Sequence, residues 1–121
     1  MRAEVKGFYS SDIDVHCYES SDPEIDGQWI RFLVGPQGHE GEESFDILIC
    51  TPRWLEKQIE KTGPRLGMNH FIVNRFDLRY AIPVLTNKIT SVYGDNWDDI
   101  AGRLSKIGYW EFEGYTDTIN S

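Results

Sequence analysis

Two stretches of the chain alternate apolar and polar residues with the period of a strand. In Gln28–Val34 (QWIRFLV), Ile30, Phe32 and Val34 fall on one side, and Trp29, Arg31 and Leu33 on the other. In Ser44–Cys50 (SFDILIC), Phe45, Ile47 and Ile49 alternate with Ser44, Asp46, Leu48 and Cys50. Period two with one strongly apolar side is the mark of a strand laid on a core. Gly35-Pro36-Gln37-Gly38 breaks the pattern between them and predicts a hairpin with a long tip. The reverse side of the first stretch is too apolar to stand wholly in water, which predicts a covering helix. Arg2–Tyr9 reads as a further strand with Ala3, Val5, Gly7 and Tyr9 on one face, and His70–Phe76 as another.

Period-three-and-four spacing takes over after Cys50. Thr51 and Pro52 supply a cap and a first-turn proline for a helix to about Thr62, with Leu55, Gln58 and Ile59 on one side and Gly63-Pro64 as its stop. Asp77 can cap a second helix through Leu78, Ile82, Leu85, Ile89 and Val92. Pro83 inside it predicts a kink or a later start. Gly94 ends this helix. Asp95 or Asn96 caps a third, where Trp97, Ile100, Ala101 and Leu104 share a face and Gly108 closes. Tyr109–Glu113 reads as a short aromatic strand, followed by a polar tail. Ser10–Gly27, rich in Ser, Asp and Glu, predicts a long surface loop with a turn at Val15–Tyr18, and loops of that length are often functional.

The elements make one α+β domain over 1–121, a mainly antiparallel sheet of about four to five strands packed with about three helices, with 116–121 frayed. At 121 residues the chain buries roughly two-thirds of its unfolded surface in a single core. No apolar run approaches the ~20 residues of a membrane span, and MRAEVKGFY lacks a signal peptide's apolar core, so cytoplasmic residence is the expectation. Two cysteines, Cys17 and Cys50, are too few for a disulfide framework and read as buried reduced thiols.

Charge changes the picture most. The formal net charge is −8, yet Gly7–Pro52 holds ten acids against the single base Arg31, a balance of −9 that leaves +1 for the rest. Such a field repels nucleic acid and anionic membrane and steers a basic partner toward this half. The acids gather in the 12–26 loop and in the 39–43 tip, both adjoining the strand Gln28–Val34, so the two could approach each other. The competing reading is two separately solvated loops serving solubility.

Reaction chemistry is thin. His16 and Cys17 are adjacent, and no other ligand pair has the spacing of a zinc site. A glycine-flanked nucleophile is absent, and Cys50 ends an apolar strand. Glu111 and Glu113 would share a strand face as a carboxylate pair, but an acidic chain yields such pairs by chance. Asp98 and Asp99 have a sufficient role at a helix N-terminus. The glycine-rich run 35–41 lacks a P-loop lysine and is flanked by glutamates. No cofactor, metal or catalytic centre is expected, and a protein interface is what remains.

Three segments resemble the bacterial immunity protein 8 family: AEVKGFYSSDID (Ala3–Asp14), GEESFDILICTPRWLE (Gly41–Glu56) and IGYWEFEGY (Ile107–Tyr115). Trp97 leading into IAGRLSKIGYWEFE resembles the family's closing pattern, while Pro83 and Gly114 depart from it. The resemblance implies a small cytoplasmic, non-enzymatic protein of polymorphic or contact-dependent toxin systems that binds a cognate toxin domain and blocks it. Many such toxins are nucleases with basic active sites, and an acidic inhibitor matches their charge. Charge clustering then nominates Asp22, Glu24, Asp26, Glu40, Glu42 and Glu43 as partner-binding residues, with Trp29 or Tyr18 as the aromatic anchor. A monomer or weak homodimer is expected. The alternatives are a general acidic interaction module without a toxin partner and an uncharacterised hydrolase.

Overall fold

Strand β2 (Gly27–Pro36) is the centre of a hairpin with β3 (Glu43–Cys50), and β1 (Ala3–Tyr9) pairs antiparallel along its other side. The computed structural model describes residues 1–112. In it the chain continues through α1 (Pro52–Thr62), β4 (His70–Ile72), α2 (Leu78–Thr90), α3 (Trp97–Leu104) and β5 (Tyr109–Trp110). The sheet order is β1-β2-β3-β4, with β5 also on β3. Because β2 occupies one edge of β3, β4 and β5 share the other edge. β4 runs parallel against Leu48–Cys50, and β5 antiparallel against Phe45–Asp46. The sheet is mixed, antiparallel in all but one of its pairings.

One side of the sheet carries the core. Ile30, Phe32 and Val34 of β2 and Phe45, Ile47 and Ile49 of β3 pack with Leu78, Ala81, Ile82, Leu85 and Ile89 of α2 and Ile100, Ala101 and Leu104 of α3. The helix starts follow the predicted caps. Thr51 accepts from the Trp54 N–H, Asp77 from Arg79 and Asn96 from Asp99. α2 begins at Leu78 and runs through Pro83, which lies on its exposed side.

Several expectations are corrected. β1 has a bulge: Val5 pairs with Val34 and Gly7 with Leu33, leaving Lys6 extra. The inserted residue reverses the alternation, so Phe8 packs inward on Phe32 at 6.1 Å while Gly7 and Tyr9 turn outward. β4 is only three residues long: the Val73 N–H still donates to Cys50 O of β3, but the Phe76 N–H donates to Pro23 O, drawing 74–76 off the sheet toward the acidic loop. α2 ends at Thr90 and α3 at Leu104, before Gly94 and Gly108. Gly108 serves packing instead: a Cβ there would meet Ile47 Cγ1 at 3.0 Å and Phe45 Cβ at 3.1 Å. The strand read over Tyr109–Glu113 is formed at Tyr109–Trp110, and Glu113 and the tail lie outside the described residues.

The helix expected over the reverse side of β2 covers only one end. Trp54 of α1 closes on Gly27, where any Cβ would come within 2.8 Å of the indole ring. Beyond that end, Trp29 and Arg31 are exposed.

Candidate functional site

The two acidic segments do not converge. The 12–26 loop enters β2 at Gly27 and the hairpin tip leaves it at Pro36, so ten residues of strand hold them about 30 Å apart.

The loop, moreover, meets cations that the sequence pattern hides. Glu24 pairs with Arg53 of α1 at 2.9 Å, and Arg75 and Arg79 line a cleft with Tyr18 and Glu19. Asp22 stays exposed and accepts the Glu24 N–H at 3.2 Å.

Asp26 and Tyr18 are turned inward, against the expectation that they face a partner. Asp26 is 8% exposed. Its carboxylate accepts from the Tyr18 hydroxyl, from Ser20 Oγ at 2.6 Å, from the Gly27 N–H at 2.7 Å and from Gln28 Nε2 at 3.1 Å. The Tyr18 ring stands edge-on to Phe76 at 5.7 Å. Burial, and then the neighbouring Asp26 carboxylate, push the Tyr18 phenol above its ordinary value. A carboxylate with four donors already on it has little left to offer another protein.

The hairpin tip keeps its charge available. Gly38 and Gly41 turn it with φ of 77° and 101°, which only glycine adopts readily. Glu40 and Glu42 are exposed and make no ion pair among the described residues. Glu43 is half-buried and accepts from Trp110 Nε1 at 2.6 Å, so it anchors β5. Lys6 sits beneath the tip, donating to His39 O at 2.5 Å and pairing with Glu4 at 3.2 Å.

Trp29 is on the open side of the sheet. Its indole leans against His70 at 6.4 Å, and the strand register sets Leu48 between them, so the two rings roof Leu48. Leu48 is 1% exposed as a result. In the next row the register aligns Tyr9, Arg31, Asp46 and Tyr109 across four strands. Arg31 donates to both Asp46 oxygens at 2.7 and 3.0 Å. Asp46 first, and then Tyr9, hold the guanidinium well above its ordinary value. Charge clustering could not reveal this row, since only the register brings residues so distant in sequence together.

Cys17 is exposed and Cys50 buried, and both are free thiols. Burial pushes the Cys50 thiol from 9.0 up to about 11. The unfolded thiol therefore ionises first: the stability from keeping Cys50 protonated is complete below pH 9 and is lost as pH rises toward 11. Replacing Cys50 by Ala is expected to flatten that part of the stability–pH curve in denaturant titrations. With a thiol reagent at neutral pH, one thiol per native chain should react. Its rate should be slow, because the Asp14 hydrogen bond raises the Cys17 value. Two fast thiols in the native protein would refute the burial of Cys50.

Among the described residues no His, Cys, Asp and Glu side chains gather as a metal site, and no helix is long and apolar enough to cross a membrane. Glu111 accepts the Ser44 N–H at 2.8 Å, a sheet-edge role. A family model described as Immunity protein 8 matches residues 3–115. No curated protein and no solved structure matches the chain.

Proposed function

The chain belongs to the immunity protein 8 family, and from that premise we propose that it binds a cognate bacterial toxin domain and neutralises it in the cytoplasm of the producing cell. The family match over residues 3–115 carries the reading. Action is by binding, not catalysis. The toxin is a basic domain of the nuclease kind. A chain at −8 attracts such a surface, and exposed carboxylates at the hairpin tip steer its approach.

Of the residues nominated by charge, Glu40, Glu42 and Asp22 remain as steering groups and Trp29 as a contact residue. Glu24 and Glu43 act through their existing partners, while Asp26 and Tyr18 support the loop.

The test is capture of the producing strain's own toxin C-terminal domains, in inactivated form, by tagged protein at low and high salt. Selective capture of one basic domain supports the reading, and capture of none refutes it. With that domain in hand, the double substitution Glu40→Lys and Glu42→Lys is expected to slow association about tenfold at low salt, with the gap closing at 0.5 M salt. An unchanged association rate would remove the tip from the interface.

A further inference from the structure

The open side of the sheet has the makings of a contact centre. Tyr9, Trp29 and Tyr109 are 44%, 43% and 57% exposed on it, surrounding the Arg31–Asp46 pair. Tryptophan, tyrosine and arginine are the side chains that carry most binding energy at protein interfaces. These stand on paired strands, and Arg31 is already fixed by Asp46, so little conformational freedom is lost when a partner arrives.

The row spans three strand spacings and, with its two neighbours, covers roughly 200 Å². That is the right size for the core of a standard footprint of about 800 Å² per partner. A pit of about 60 Å³ opens beside it, lined by Tyr9, Asp12, Trp29, Arg31 and Asp46 among others. Within the pit Asp46 neutralises Arg31, which leaves Asp12 as the uncompensated charge. An aromatic-walled pit with one spare carboxylate suits a single cationic head group.

We propose that this face, the Tyr9–Arg31–Asp46–Tyr109 row with Trp29 beside it, is where the toxin domain seats, placing a Lys or Arg side chain in the pit beside Asp12. The proposal rests on the toxin-binding reading above and gives it a contact surface. A second copy of the chain is a poor occupant, since each copy brings a net charge of −8.

Affinity for the captured toxin domain is measured with wild-type protein, Trp29→Ala, Tyr109→Ala and Asp12→Asn. Trp29 also roofs Leu48, so thermal midpoints are recorded for every variant, and Tyr109→Ala serves as the variant whose fold is undisturbed. At least tenfold weaker binding by Tyr109→Ala and Trp29→Ala, and severalfold by Asp12→Asn, at unchanged midpoint for Tyr109→Ala, is expected. Wild-type affinity in Tyr109→Ala and Asp12→Asn would overturn this surface while leaving the toxin-binding function standing. Capture of no toxin by the wild type would remove both. A wild-type dimer in light scattering that Tyr109→Ala dissolves would assign the face to a second copy and overturn the proposal.

Discussion

Replacing Asp26 with alanine is expected to lower the thermal midpoint by about 10–15 °C, equivalent to about 3–4 kcal/mol for a chain of this size. The reason is the number of groups that depend on one carboxylate. Two hydroxyls, one amide and one backbone N–H donate to it inside a nearly closed site. Each donor left without an acceptor costs about 1–3 kcal/mol, reduced where water can enter from the loop side. The backbone of the same residue is bound to Thr51, whose hydroxyl donates to Glu24 O at 2.7 Å and whose N–H donates to Asp26 O at 3.0 Å. Thr51 also caps α1. The acidic loop, the start of β2, the end of β3 and the first turn of α1 are thus tied at one point. Asp26→Asn should be milder, since its amide oxygen still accepts and the Tyr18 and Ser20 hydroxyls can rotate to accept from its NH₂. Thermal unfolding followed by circular dichroism decides the matter. A midpoint within 3 °C of wild type, together with weakened toxin binding, would return Asp26 to the interface.

The contrast between Asp26 and its neighbours shows what the sequence can carry. Asp22, Glu24 and Asp26 look alike in a string of acids, yet one is solvated, one is paired with Arg53 and one is buried under Tyr18. Local signals were readable because their causes are local. Thr51 before Pro52, Asp77 before Leu78 and Asn96 before Trp97 each cap a helix with a side chain a few residues from its donor. The alternation in β2 and β3 was readable for the same reason. What stayed hidden depends on pairing between distant segments. The bulge at Lys6 leaves no mark in a pattern that alternates perfectly well without it. The parallel position of β4 is a choice of partner, and α1 only supplies the length that permits it. The candidate contact row joins residues 9, 31, 46 and 109, and nothing short of the register puts them side by side.

Phe45→Ala is expected to cost about 3–5 kcal/mol and to lower the thermal midpoint by roughly 10–20 °C. Phe45 is 2% exposed in the middle of an aromatic row formed by Phe8, Phe32, Phe45 and Trp110, one residue per strand. Its ring stacks on Trp110 at 6.3 Å and 7° and meets Trp97 of α3 edge-on at 6.5 Å. Truncation therefore opens a cavity and removes two aromatic contacts, each worth about 0.5–1.5 kcal/mol beyond burial. β5 has only two residues of pairing, and without Phe45 its tethers beyond that pairing are the Trp110–Glu43 hydrogen bond and the two bonds between Glu111 and Ser44. Trp110 should gain solvent, so the variant's emission should shift to the red before global unfolding. Phe45→Leu, which fills most of the space but cannot stack, should recover about half of the lost stability. Tyr109 stands next to Trp110, so Phe45→Ala should also weaken toxin binding, by displacing a residue of the proposed contact surface from behind. Tyr109→Ala should weaken binding at full stability. If Phe45→Ala instead bound toxin normally despite a large loss of stability, β5 would have no part in the contact surface, and Trp29 would have to carry it alone.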